Sequence, residues 1–164
     1  MSVSLAKLGI RPGDRVADVG CGTGKVAIAA SEVAGTVYAI DRRPEAIAYA
    51  REEVSRADRG NIEFFEGDAV DVLPGLGSLD AAFVGGSRRL PEVLDLLADQ
   101  VQGRIVVNAV MVETLQSAIA NMQRLGIFVE AVHLQVSRSA GIAGGMMFKP
   151  INPVYIIVGG AGCS

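Results

Sequence analysis

The sequence is poor in the residues from which metal sites and disulfide frameworks are built. It holds two cysteines, Cys21 and Cys163, and a single histidine, His133. The cysteines lie far apart and no Cys-x-x-Cys pair occurs, so neither a disulfide scaffold nor a metal site is expected. This thiol usage fits a reducing compartment, and a cytoplasmic location is the expectation. Aromatic residues make up only 5% of the chain, few for the stacking surfaces that flipped bases need. Charge of neither sign dominates. A net charge of -3 supplies no cationic excess for phosphates, so no nucleic-acid partner is expected. Long apolar runs are missing too. The best stretch, Ile105 to Val112, is broken by Asn108 and falls short of a bilayer span. No charged-then-apolar leader stands at the N-terminus, and no membrane partner is expected.

What is present suits one domain over residues 1–164, with half of the residues apolar and a sizeable core to bury. The 20 glycines sit singly or in pairs between periodic segments, a pattern of turns and not of disorder. Strands are expected at Arg15 to Val19, Thr36 to Ile40, Ile62 to Phe65, Leu79 to Val84 and Arg104 to Val107. Helical spacing covers Lys25 to Val33, with Val26, Ala29, Ala30 and Val33 on one face. Further helices open at Pro44 and at Pro91, the latter running to Val101 and stopping at Gly103. Another runs from Glu113 to Leu125 and stops at Gly126. The tail differs: Val129 to Val136 and Val154 to Val158 are strands joined by a glycine-rich link with no helix, hence antiparallel. The fold class is therefore α/β, a mostly parallel sheet with helices on both faces and a terminal antiparallel hairpin.

A glycine-rich turn, Gly20-Cys21-Gly22-Thr23-Gly24, follows the first strand and opens the first helix. Such turns let the backbone approach an adenine cofactor closely, and the helix behind them offers unpaired amides. By itself the motif is weak, since a plain tight turn looks the same. Asp41, followed by Arg42, ends the second strand, where an acid accepts from both ribose hydroxyls. Nicotinamide and S-adenosylmethionine share that need. The Gly-x-Gly-x-Gly spacing lacks the extra residue of the pyrophosphate cradle, and Asp68, before Ala69, ends the third strand within reach of an adenine amine. Asp18 can orient the loop or reach a methionine amino group through water. Loop capping would explain Asp18 or Asp68 alone but not the ordered set.

Asp18-Val19-Gly20-Cys21-Gly22-Thr23-Gly24, then Asp41, then Gly67-Asp68-Ala69 resembles the class I methyltransferase signature in order and spacing. That resemblance implies a Rossmann-like, seven-stranded sheet whose last strand inserts antiparallel. The second half is more particular. Leu79 to Ser87 (including Gly85 and Gly86), Gly103 to Val110, Glu113-Thr114, Gln135 to Arg138 and Asn152-Pro153-Val154 resemble the decarboxylating precorrin carbon-15 methyltransferases. The likeness covers nearly the whole chain. It implies S-adenosylmethionine as cofactor, an anionic tetrapyrrole as substrate, and a homotetramer. These enzymes occur alone or behind an N-terminal methyltransferase domain. Two departures stand out. Arg88 and Arg89 occupy positions where relatives commonly carry glycines. The segment before Leu8 is short, where relatives have an additional stretch that helps close the site, so the chain reads as an excised domain.

Cofactor-binding candidates are thus Asp18, Gly20, Gly22, Thr23, Gly24, Asp41, Arg42, Asp68, Ala69 and Gly85. Candidates for substrate contact are Gly86, Ser87, Arg88, Asn108, Thr114 and Arg138. A polycarboxylate calls for cationic clamps, drawn from Arg88, Arg89, Arg104, Arg138 and Lys149; a solvated charge is the rival for each, with Arg88 and Arg138 preferred as clamps. Ser87, Asn108 and Glu113 are weak catalytic candidates, and helix capping rivals contact at Glu113 and Thr114. With no histidine near it in sequence, Ser87 is not expected to be a nucleophile. Cys21 is expected to pack, and His133 to be structural or exposed. Met146, Met147 and Phe148 either border the macrocycle, meet a neighbouring subunit or fill the core. The rival functions are a methyltransferase for transfer RNA or another small molecule, a non-catalytic S-adenosylmethionine-binding protein, and a nicotinamide enzyme.

Overall fold

In the computed structural model, residues 1–86 and 88–160 are described. Five strands run parallel: β1 (Arg15–Val19), β2 (Thr36–Asp41), β3 (Ile62–Glu66), β4 (Leu79–Val84) and β5 (Val101–Ala109). The last two, β6 (Phe128–Ile142) and β7 (Gly145–Gly160), are antiparallel to each other, and β7 inserts antiparallel beside β5. The spatial order β3-β2-β1-β4-β5-β7-β6 reverses direction between β1 and β4. That reversal opens a crevice at the carboxyl ends of the central strands.

Helices cover both faces. Helix α1 (Ser2–Leu8), α2 (Lys25–Ser31) and α3 (Pro44–Arg56) bury Leu8, Ala27, Ala30 and Ile47 against Val16, Val37, Phe83 and Ile156. On the opposite face are α4 (Ala69–Val72), a 3-10 turn at Leu73–Gly75, α5 (Leu90–Gln100) and α6 (Val112–Arg124). Leu90, Leu94, Leu97, Ala118 and Met122 pack there on Ile40, Val84, Val107 and Ile157. Alternation along each strand sends side chains to both faces, so the central strands read as near-continuous apolar runs.

The structure corrects several expectations. Helix α1 lies where only a short segment was expected, and α4 was not foreseen. Helix α2 ends at Ser31, leaving Val33 46% exposed. Gly103 does not stop α5. It sits inside β5, where a Cβ would come 2.5 Å from the Asp80 carbonyl oxygen; the glycine answers a close strand approach and not a helix end. The glycine-rich link is itself strand. β6 and β7 continue as a two-stranded arm to Ala143-Gly144, whose φ values of 43° and 80° match a turn with both central residues in the left-handed region. Met146, Met147 and Phe148 belong to this arm, with Met146 and Phe148 exposed.

Candidate functional site

The carboxyl ends of β1, β2 and β4 are laced together before any side chain is considered. Gly20 and Cys21 donate their amides to the Ile40 carbonyl at 2.8 and 3.0 Å, and Gly85 donates to the Val19 carbonyl at 2.8 Å. Gly67 donates to the Asp41 carbonyl at 3.1 Å. The cleft above them encloses about 320 Å³ and is lined by Val19, Gly20, Ile40, Asp41, Arg42, Arg43, Gly67, Asp68, Ala69, Gly85, Gly86 and Arg88. Gly20 has φ +75°, and a Cβ there would meet the Gly86 amide nitrogen at 2.9 Å. Only glycine lets the two loops pass this closely.

Of the residues expected to hold the cofactor, Gly20, Asp41, Arg42, Asp68, Ala69 and Gly85 share the cleft. Gly22 stands behind it, donating its amide to Asp41 Oδ2 at 3.0 Å. Gly24 serves packing instead, since a Cβ would lie 3.1 Å from Ala50 Cβ of α3. Thr23 is exposed beside the cleft and does not line it. Arg43, and not the expected Arg42, holds Asp41: its amide and Nε donate to Oδ1 at 3.1 and 3.0 Å, and one terminal nitrogen to Oδ2 at 3.0 Å. Burial alone would raise the Asp41 pKa. The Arg43 guanidinium and the Arg43 and Gly22 amides outweigh it and hold the carboxyl below its ordinary value.

Asp18 is the electrostatic anomaly. It is 1% exposed at the end of β1, and among the described residues neither carboxylate oxygen has a hydrogen-bond partner. Burial pushes its pKa up to about 7; the Ala27 amide opposes this without closing a hydrogen bond, and the Asp41 charge adds to it. A buried carboxylate left unpaired is costly, so an acid in this state is poised to receive a donor or a cation. Cys21 lies beside the two acids; burial first, then their charges, push its thiol up to about 12. It is a packing residue and no thiolate nucleophile.

Asp68 caps α4, accepting from the Val70 amide at 3.2 Å. Arg88 Nε lies 3.7 Å and a terminal nitrogen of Arg89 4.0 Å from its oxygens, so the two arginines bridge the β4–α5 loop to the β3–α4 loop across the cleft. Arg89 precedes α5 with φ 50°. Asn108, the penultimate residue of β5, does not line the cleft and accepts a hydrogen bond from Ser4 Oγ of α1 at 2.9 Å. Glu113 is exposed and Thr114 is buried in α6; the N-cap position there is held by Met111, so neither caps the helix. Arg138 is exposed on the arm, in register with Lys149 and away from the cleft lining. His133 is exposed and stacked on Tyr155 with ring centroids 4.5 Å apart. Ser87 lies outside the described residues. Among the described residues, no three His, Cys, Asp or Glu side chains converge to hold a metal, and no helix is long and apolar enough to cross a membrane.

A parallel sheet with an inserted antiparallel strand, a glycine loop after β1 and a cleft at the β1/β4 switch define the class I methyltransferase fold. Chains of that class are its neighbours among solved structures. More narrowly, the chain belongs to the precorrin methyltransferase domain family, which matches residues 1–159. It is 48% identical over 97% of its length, and 89% of the relative's, to a Methanosarcina acetivorans protein named "Probable cobalt-precorrin-6B C(15)-methyltransferase (decarboxylating)". A Methanosarcina mazei protein of the same name is 46% identical over the same shares. The crystal structure of precorrin 8W decarboxylase from Methanobacterium thermoautotrophicum superposes with a TM-score of 0.93, at 35% identity, covering 98% of this chain and 90% of that one. Precorrin-6y C5,15-methyltransferase from Geobacter metallireducens gives 0.92 at 31% identity, covering 98% and 87%.

Proposed function

We propose that this chain transfers the methyl group of S-adenosylmethionine to carbon 15 of a precorrin macrocycle and releases the ring-C acetate carboxyl as carbon dioxide. The observation that carries the reading is the buried, unpaired Asp18 carboxylate under the glycine loop, in a chain of this family. Asp18 lies beneath the cleft lining, so the methionine ammonium of a bound cofactor would supply the missing cation through water. When bound, it brings an electrophilic methyl on a sulfonium.

The residues provide position and charge. Asp41, braced by Arg43, would hold the ribose; Asp68 and Ala69 would border the adenine; Gly20, Gly85 and Gly86 would let the methionine end approach the backbone. An electron-rich macrocycle carbon needs no strong protein base, and holding the reacting atoms near ~3–3.5 Å supplies much of the acceleration. Arg88 clamps a peripheral carboxylate. The reacting acetate is left without a guanidinium partner, because pairing it would stabilise the ground state and oppose its loss. On transfer the C–S bonding pair would stay on sulfur and the methylated carbon would give up a proton to water. As carbon dioxide departs, its bonding pair stays with the macrocycle, and a proton from water turns the acetate remnant into a methyl group. The assembly we propose is a homotetramer, tested by light scattering.

The experiment incubates the protein with S-adenosylmethionine and cobalt-precorrin-6B or its metal-free counterpart and follows the macrocycle's mass. Gain of one methyl and loss of one carbon dioxide is expected. An unchanged macrocycle with demonstrable cofactor binding would overturn the reading.

A further inference from the structure

Three consecutive apolar residues stand exposed at the sheet edge that carries the cleft. Val110, Met111 and Val112 are 63%, 56% and 51% exposed, running from the end of β5 into the first residue of α6. Val107 is in register with Val84, so β4 and β5 deliver their carboxyl ends to the same edge. The triplet therefore follows β5 at the edge where the cleft opens. It also breaks a local rule. Met111 occupies the N-cap of α6 without capping it, where Ser, Thr, Asp or Asn would stabilise the helix. A run of exposed apolar residues at a poorly capped helix start is a local conflict of the kind found at functional sites.

Cations stand beyond the same edge. Arg88 stands on the cleft side. On the other side, the pairing of β7 with β5 ends at Tyr155 and Ala109, so the arm beyond Tyr155 projects past this same edge. It carries Arg138 and Lys149 as a cross-strand pair. An apolar surface at an edge that also carries separated cations complements a flat conjugated ring with carboxylates on its rim. Three side chains are too little for a second copy of the chain, since a stable interface buries about 800 Å² per partner.

Resting on the proposed function, we infer that Val110, Met111 and Val112 form the shelf on which the face of the tetrapyrrole lies, with its rim carboxylates reaching Arg88 and the Arg138–Lys149 pair. The test uses uroporphyrin I, a metal-free octacarboxylate tetrapyrrole, titrated into the full chain by absorbance. Met111→Asp puts a like charge under the ring while improving the N-cap, so the fold is not at risk. It is expected to weaken porphyrin binding at least tenfold, with Val110→Asp behaving alike and Met111→Leu staying within twofold of wild type. S-adenosylhomocysteine affinity and subunit number should be unchanged. Wild-type porphyrin affinity in both aspartate variants, or a loss that follows a changed subunit number, would overturn the shelf. The precorrin mass assay separates the two ideas. Product formation with an unchanged KM in Met111→Asp sinks the shelf alone. No product from wild type, with the porphyrin effect present, sinks the proposed reaction and leaves the shelf as a tetrapyrrole-binding surface.

Discussion

Ser4 of α1 donates its hydroxyl proton to the Asn108 side-chain oxygen at 2.9 Å, joining residues 104 positions apart in sequence. Ser4 is almost wholly buried, so the bond is held in place by the packing of α1. The bond fixes how the Asn108 side-chain amide is turned.

Ser4→Ala is therefore expected to cost about 1 kcal/mol, a drop of roughly 2–4 °C in Tm. Turnover should fall further than stability alone would account for, because Asn108 loses its orientation, while S-adenosylhomocysteine affinity stays the same. Thermal unfolding, calorimetry and steady-state rates check the three parts. An unaltered rate would reduce the Ser4–Asn108 bond to packing.

Asp18 sets a pH dependence. Its pKa is raised from 3.8 to about 7 on folding, so between these values the folded protein keeps a proton that the unfolded chain releases. Its contribution to stability accordingly declines as pH rises through that window, and the penalty is complete above about 7. Asp41 works the other way: its lowered pKa gives stability above the ordinary carboxylate range that is lost as pH falls through the depressed value. Asp18→Asn should raise the Tm of the ligand-free protein at pH 8 by a few degrees, the gain vanishing near pH 4. The same change should weaken S-adenosylmethionine binding at least tenfold, the worth of one charge-assisted contact. Melting curves across pH, with and without ligand, read both effects; equal affinity in the variant would remove Asp18 from the cofactor's contacts.

Two glycines of one loop should fail differently. Gly20→Ala sets a Cβ 2.9 Å from the Gly86 nitrogen and wedges the cleft loops apart, so ligand affinity should drop more than tenfold. Gly24→Ala presses on Ala50 at 3.1 Å with φ +73°, and should cost about 1–3 kcal/mol of stability with a smaller effect on binding. Calorimetric Kd beside Tm for each variant tells the roles apart.

Arg88→Gln removes an ion pair whose arginine is 63% exposed, and exposed pairs contribute about 0–1 kcal/mol. Stability should hardly change, while KM for the macrocycle should rise about tenfold if Arg88 holds a rim carboxylate. KM and kcat both at wild-type values would remove Arg88 as a clamp.

The cleft was legible because parallel strands deliver their carboxyl ends to one edge. Gly20, Asp41 and Asp68 each stand at or just past the end of a strand, so their convergence needs only the order of elements. The division of labour inside the motif was not legible. Nothing local distinguishes Arg42 from Arg43, and which of them turns back onto Asp41 depends on the chain's path into α3. Gly103 misled for a related reason: a glycine after an apolar helix reads as a stop, and only the neighbouring Asp80 carbonyl shows why a side chain is excluded. The arm was hidden because both its faces meet solvent, as at Val136, Ile142 and Phe148. Alternation of apolar and polar residues arises when one face is buried. Helix α1 offered too few turns to establish a period.

The place of β7 between β5 and β6 has a consequence for biosynthesis. β6 leaves the ribosome before the strand it docks on, and β5 keeps a bare hydrogen-bonding edge until Tyr155 to Gly160 have emerged. A nascent chain stalled earlier exposes an unpaired, apolar strand, the template on which misassembly starts. Premature stops within β7 should yield aggregates and not weakened enzymes, so the sheet is completed by its last strand or not at all.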